Sequence, residues 1–411
     1  MPRRAGFDKA LLASAGLLMV VGLLAVYSAG QTDVPSAAAG IWKRQLVWLA
    51  IGVVGATAAF RVSPRVLEWV TPALYGGSLL LLAVTLVLGT GAGTAAGAKS
   101  WLAIGSMRLG QPSELAKIAT ILMLARHLGA AREAPATLAK LVPSVVIVGL
   151  PFVLVGLQPD LGSALVFVGV LFAMLFWIGV RPWLLLVLAS PLLSLLLAFS
   201  TVTWGAWIVF LTLVLLWVRP YVLEGLIAWL GNVAMGVIAL DLWRGLAPYQ
   251  QNRLLSFLNP ELDSRATGWH IIQSKVAIGS GGILGKGFTA GSQKRLAFLP
   301  EQHTDFVFSV LGEEAGFLGV LVVLVLFATL LLVLLRIAQK AVDGYSSLVV
   351  AGIAGMLLTH IVVNIGMTVG LMPIVGIPLP FFSYGGSFLL TCCVAIGLAL
   401  RVAWEARQSG Y

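Results

Sequence analysis

Phe317-Leu-Gly-Val-Leu-Val-Val-Leu-Val-Leu-Phe-Ala-Thr-Leu-Leu-Leu-Val-Leu-Leu335 carries no charged side chain. About 20 apolar residues of α-helix cross the hydrocarbon core of a bilayer. Taken out to residues 306–336, this run is long enough to do so. A helix that is apolar all round belongs in lipid or deep in a core. Its two ends differ. Leu299-Pro-Glu-Gln-His-Thr-Asp-Phe306 leads in, and Arg336 and Lys340 follow. The basic exit gives the span a direction.

Working outward, further apolar runs lie at 10–29, 45–60, 70–89, 113–130, 141–157, 161–180, 183–200, 205–218, 222–242, 346–371 and 384–403. The expected fold is an all-α polytopic membrane protein of roughly twelve transmembrane helices, in a single integral membrane domain. Composition agrees: 59% of the residues are hydrophobic and 10% are charged, where soluble domains carry about 25% charge. The net charge of +10 is scattered in short clusters. That argues against a nucleic-acid surface and for charged membrane linkers. Cys392 and Cys393 are adjacent within an apolar run, which suits packing and neither a disulfide nor a metal site. Met1-Pro-Arg-Arg leads into the first run without a convincing cleavage site, so no cleavable signal peptide is expected.

Alternate linkers hold Arg3, Arg4 and Lys9; Arg61 and Arg65; Arg126, Arg132 and Lys140; Arg181; Arg219; Arg336 and Lys340; and Arg401 and Arg407. The positive-inside rule places all of these, and both termini, in the cytoplasm. Three polar or broken segments then fall outside: 89–112, 243–305 and 372–387. The second, before the tenth span, is by far the longest. In the third, Pro373, Pro378 and Pro380 forbid a regular helix. Non-helical backbone near the bilayer must be buried in protein or line a wet cavity.

Ionisable residues within spans are costly and are functional candidates. Glu114 and Lys117 in Gln111-Pro-Ser-Glu-Leu-Ala-Lys117 share a helix face. They read either as a salt bridge that makes both tolerable in lipid or as a cation held ready for an anionic group. Arg108 adds a second positive charge. Asp160, in Leu-Gln-Pro-Asp-Leu-Gly-Ser, reads as a helix cap or as an orienting group for a lysine or a metal ion. Glu301, His303, Thr304 and Asp305 crowd the entry to the long span. Asp305 reads as a cap or as a general base whose partial desolvation tunes it. Glu313 and Glu314, within that span, are expected to pair with Lys or Arg or to line a cavity. The glycine-rich run Ala277–Phe288 with Lys286 is either a backbone phosphate contact or a plain turn. It lacks the P-loop spacing. Arg253, Lys275, Lys294 and Arg295 make this outer stretch cationic, which fits an anionic head group.

These motifs resemble the SEDS family (shape, elongation, division and sporulation), the RodA/FtsW membrane proteins of bacterial cell-wall synthesis. The matching strings are Gln111–Lys117, Gln158-Pro-Asp-Leu-Gly162, Ala277-Ile-Gly-Ser-Gly-Gly282, Leu299–Phe306 and Gly376-Ile-Pro-Leu-Pro-Phe-Phe-Ser-Tyr-Gly-Gly-Ser387. Trp269-His-Ile-Ile-Gln-Ser274 is more similar to the RodA branch than to the FtsW branch. The resemblance implies a peptidoglycan glycosyltransferase that polymerises lipid II, for elongation and rod shape. It places the essential acidic residue on Asp305 and the charged cavity residues on Glu114, Lys117 and Asp160. Arg108, Glu301, His303, Lys286 and Ser383 are the further substrate-binding or supporting candidates. No cofactor is certain. A divalent cation such as Mg or Mn, with Asp160 as a ligand, is one option for the leaving group. The partners implied are a class B penicillin-binding protein and other elongation-complex membrane proteins. The family typically has ten spans, so 201–242 reads as an inserted pair before Tyr249-Gln-Gln-Asn-Arg253 resumes the pattern. The alternatives are a lipid II flippase, a division-specific FtsW-type polymerase and a non-catalytic scaffold. The long one-sided loop and the lack of a visible repeat favour catalysis over alternating access.

Overall fold

The computed structural model describes residues 7–34, 36, 38–91, 100–104, 107–131, 133–246, 251, 255–257, 267–296, 298–299 and 301–409. For 103–104, 107–109, 242 and 267 the backbone alone is described. Arg3, Arg4, Lys99, Arg132, Arg253 and most of the Tyr249–Arg253 string lie outside the described residues.

The chain runs through α1 (Lys9–Ala29), α2 (Ile41–Arg61), α3 (Pro64–Leu88), a hairpin of β1 (Leu102–Ile104) and β2 (Met107–Gly110), α4 (Pro112–Gly129), α5 (Leu138–Leu157) and α6 (Leu161–Trp177). It continues through α7 (Pro182–Leu197), α8 (Thr201–Val218), α9 (Val222–Gly245), α10 (Thr267–Ser280), α11 (Ser292–Arg295), α12 (Val307–Gln339), α13 (Gly344–Thr368) and α14 (Gly386–Gln408). Every predicted apolar run lies on a helix. Among the described residues eight helices are long and apolar enough to cross a membrane, and α6 and α7 are shorter apolar helices. Charged residues lower the hydropathy of α2 and α4, which carry Lys43, Arg44, Glu114 and Lys117.

Two of the outer segments carry structure of their own. Within 89–112, β1 and β2 pair antiparallel, Leu102 with Gly110 and Ile104 with Met107. The other is 243–305. Its described part contains α10 and α11, with a glycine-rich turn between them.

The helix starts follow from local chemistry. Asp8, Ser63, Thr137, Asp160, Ser200 and Asp343 each accept a backbone N–H from their own helix's first turn, which satisfies donors that lipid cannot. Lateral packing uses small residues, because apolar burial alone does not drive helices together in lipid. A Cβ on Gly397 of α14 would stand 2.3 Å from the Ala56 carbonyl of α2. The buried free thiol of Cys393 lies over Gly52 on the same helix pair, so the cysteines do pack.

Both ends of the chain meet on one face of the bundle. The Asp8 carboxylate, at the start of α1, accepts from Arg336 at 3.2 Å and from Arg407 at 2.6 Å. These close the ends of α12 and α14. At the opposite face, Gln302 donates to the Ala29 carbonyl at 2.8 Å, and Arg295 pairs with Asp33 at 3.0 Å.

α8 and α9 pack on α7 through a buried polar knot. Asn232 donates to the Ser190 hydroxyl at 2.7 Å and accepts from the Trp207 indole at 3.3 Å. Ser194 donates to the Asn232 carbonyl at 2.8 Å. The outward faces of α8 and α9 are apolar, with Trp217 82% exposed, as a lipid-facing surface requires.

α12 is broken at Gly316, whose φ of 62° and ψ of −162° are not helical. A break at membrane depth strands backbone groups that must be paired within the protein. The glycine-rich turn supplies the partners. The N–H groups of Lys286 and Gly287 donate to the Glu313 and Glu314 carbonyls, both at 3.0 Å. The N–H groups of Phe317 and Leu318 donate to Gly282 and Ile283 at 2.9 and 3.1 Å. A Cβ on Gly285 would stand 2.0 Å from the Glu314 carbonyl, so only glycine permits the approach.

Candidate active site

Asp305 is delivered by a tight turn. The Glu301 carbonyl accepts the N–H groups of Thr304 and Asp305, both at 3.1 Å. Glu301 itself has a φ of 51°, a left-handed conformation uncommon for a residue with a side chain. The turn leaves Asp305 half-buried, one residue ahead of the helix-capping position. That position is Phe306, whose side chain makes no capping bond.

The Asp305 carboxylate faces Gly376. A Cβ there would lie 3.5 Å from Asp305 Oδ2, and Gly376 has a φ of 73°. Asn364 of α13 ties the two segments together. Its amide donates to the Asp305 carbonyl at 3.1 Å and to the Ile377 carbonyl at 2.7 Å. From the other side, Gly162 of α6 packs so close that a Cβ would lie 2.6 Å from the Val375 carbonyl. Asp160 caps α6, its Oδ1 accepting from the Ser163 N–H at 3.0 Å. Its Oδ2 accepts from the Gln111 amide at 2.7 Å, which draws the start of α4 to the start of α6. Four distant motifs therefore converge on the loop around 375–377.

Beneath this loop lies a buried charge cluster. Lys117 donates to Glu114 at 2.7 Å, and its side chain is 1% exposed. Lys117 Nζ also lies 3.3 Å from His360 Nε2 and 5.5 Å from the centre of the Phe388 ring. His360 Nδ1 lies 3.1 Å from the Pro378 carbonyl. The salt-bridge reading of Glu114 and Lys117 is met. The shielded ammonium can act on nearby negative charge through its field, which a low-dielectric surrounding strengthens.

The other candidates divide. His303 is buried, 3.9 Å from Glu301. Burial holds its imidazole below the usual histidine range, and the Glu301 carboxylate pulls the other way. The Tyr384 N–H donates to the His303 carbonyl at 2.9 Å, which joins the turn to the 372–387 segment. The Ser383 hydroxyl accepts from the Leu379 N–H at 2.8 Å and is buried. It shapes the proline-rich segment. Lys286 binds Glu313 at 2.8 Å and Ser292 at 2.8 Å. With its own N–H and that of Gly287 also engaged by α12, the glycine-rich run plugs the helix break, which favours the turn reading over the phosphate contact. Glu314 pairs with Lys294 and accepts from Ser28, as intramembrane acids were expected to do. Arg108 lies on β2, and its side chain is outside the described residues.

Among the described residues no three of His, Cys, Asp and Glu converge as metal ligands, and both Asp160 oxygens already accept hydrogen bonds. His360, Asn364 and Gln111 escaped the sequence reading. The signal was available for the first two: both are polar residues inside the 346–371 run, four apart on one face.

Fold and site together define a multi-pass membrane protein with an acidic centre at the bundle face opposite both termini. The chain belongs to the FtsW/RodA/SpoVE family of cell cycle proteins, whose model matches residues 8–208 and 203–408. It is 37% identical over 432 residues to the peptidoglycan glycosyltransferase RodA of Treponema pallidum, covering 98% of each chain. It is 35% identical over 390 residues to the peptidoglycan glycosyltransferase MrdB of Escherichia coli, covering 94% of this chain and 90% of that one. Among solved structures it matches a chain from work on the structural coordination of polymerization and crosslinking by a peptidoglycan synthase complex. There the TM-score is 0.72 at 30% identity, with 98% of both chains covered. It also matches the Thermus thermophilus rod shape determining protein RodA, with a TM-score of 0.62 at 28% identity over 97% of both chains.

Proposed function

We propose that this chain is a peptidoglycan glycosyltransferase of the RodA type, polymerising lipid II into glycan strands for cell elongation at the outer face of the bacterial cytoplasmic membrane. The observation that carries the reading is the half-buried Asp305 carboxylate beside the 375–377 loop, pinned through Asn364. In the reaction, the 4-hydroxyl of an acceptor GlcNAc forms a bond to the anomeric carbon of a lipid-linked MurNAc. The bond to undecaprenyl pyrophosphate breaks, and that group leaves with the bonding electrons. A sugar hydroxyl needs a base in the transition state, and Asp305 takes its proton. The field of Lys117 favours the charge growing on the pyrophosphate. A site at the membrane face suits a substrate whose tail stays in the bilayer.

The basic linkers support a cytoplasmic side for both termini and for the face holding Asp8. Residues 243–305 then lie outside. α8 and α9 read as an inserted pair, held to α7 by the polar knot and to α5 by the Ala139 N–H, which donates to Glu224 at 3.3 Å. The natural partner is a class B penicillin-binding protein, which cross-links the strands.

The test is purified protein, alone and with that partner, supplied with lipid II and scored for glycan chains. Asp305→Asn should abolish polymer while size-exclusion behaviour and thermal unfolding stay those of the wild type. Polymer at the wild-type level from that folded variant would remove Asp305 from its role. Parallel reactions with chelator and with added Mg or Mn show whether a divalent cation is required.

A further inference from the structure

We propose that His360 is a positioning residue for polymerisation, holding the Lys117 ammonium in place and coupling it to the loop beside Asp305. The inference rests on the glycosyltransferase reading above. A carbonyl only accepts, so the contact with Pro378 at 3.1 Å puts the proton on Nδ1. An ammonium only donates, so the contact with Lys117 at 3.3 Å requires a lone pair on Nε2. Only the neutral ring, in one tautomer, satisfies both partners. A protonated ring would set two cationic donors face to face.

The ring is wholly buried and stacks on Phe388 with centroids 4.4 Å apart. The same Phe388 ring lies near Lys117 Nζ. The ammonium is thus caged by Glu114, His360 and an aromatic face. On its far side the imidazole holds Pro378, two residues beyond the Gly376 that faces Asp305. One turn along α13, Asn364 holds Ile377 and Asp305. One helix face therefore fixes the cation and the carboxylate in a common frame, although they come from α4 and from the turn before α12. A histidine in an apolar span is expensive, and neither helix packing nor the general-base role of Asp305 accounts for both of its contacts.

The test compares three variants in the lipid II assay. Glutamine reaches as far as Nε2 and can accept from Lys117. Asparagine reaches only as far as Nδ1 and can serve Pro378 alone. Phenylalanine fills the space and serves neither. His360→Phe should lower kcat about tenfold or more, with KM for lipid II within about twofold of the wild type. His360→Gln should recover activity to within about threefold, and His360→Asn should stay near the Phe level. A residue that only packs would tolerate Phe best and would not separate Gln from Asn; either pattern overturns the inference. If His360→Phe does not fold, the contrast of Gln with Asn decides alone. Wild-type protein that makes no polymer even with its partner overturns the glycosyltransferase reading and this inference with it. Active wild type with three equal variants overturns this inference alone.

Discussion

Asn364 holds Asp305 by its backbone and leaves its carboxylate to the loop: the amide nitrogen lies 3.1 Å from the Asp305 carbonyl oxygen. The same nitrogen serves Ile377 at 2.7 Å. One buried amide therefore sets the spacing between a candidate base and the segment it faces.

Asn364→Leu keeps the volume and removes the donor. Two carbonyls lose this partner, and a buried unsatisfied carbonyl costs about 1–3 kcal/mol. The expected result is a lower unfolding midpoint together with at least a tenfold fall in polymerisation. Wild-type rates in a lipid II assay would show that the spacing is set elsewhere.

Gly316 should tolerate nothing larger. Its φ of 62° and ψ of −162° lie where side chains are costly, and a Cβ would stand 2.3 Å from the Gly285 nitrogen. Gly316→Ala is expected to lose about 3 kcal/mol or more, from backbone strain and displacement of the turn. Fluorescence-detected size exclusion after mild heating would read this as loss of the monodisperse peak. A peak that survives like the wild type contradicts the packing of 281–287 against the break.

Lys286 separates a structural from a substrate role. The Glu313 side chain is fully buried and would keep the Ser292 hydroxyl and the Gln293 N–H but lose its cation in Lys286→Met, which costs about 3–5 kcal/mol. Lys286→Met paired with Glu313→Gln should regain most of that stability, measured by thermal unfolding. A lysine that served a substrate phosphate would instead raise KM in the single variant and leave the midpoint unmoved.

His303 gives the fold an acid-side weakness. Burial lowers its folded-state pKa below the unfolded value near 6.5. As pH falls past that value, the unfolded chain takes up a proton that the folded protein resists, so stability drops with acidification. The unfolding midpoint should decline between about pH 7 and pH 5.5, and His303→Gln should flatten part of that decline. An identical slope in the variant would assign the loss to other groups.

The span pattern was readable because a bilayer demands long apolar runs, and each predicted run became a helix. Asp305, Glu114, Lys117 and Asp160 stood out as charges where charge is expensive. Their convergence was not legible, since no local signal says that α6 abuts residue 375. The glycine-rich run left two readings open for a physical reason. Glycines that let backbone approach an anion are the same as those that let it approach a broken helix, and only the position of Gly316 distinguishes the two. Ser383 was equally undivided between binding and support, because a hydroxyl in a motif looks the same in sequence whether it faces a substrate or closes a turn.

The clasp of Asp8 by Arg336 and Arg407 bears on how the molecule is born. Asp8 and Arg407 are 399 positions apart, so during synthesis that contact cannot form until α14 has been made. α1 must enter the bilayer and wait there without that neighbour. With a mean hydropathy of 2.3 over its span, it is apolar enough to wait alone, and the clasp closes only when α14 arrives.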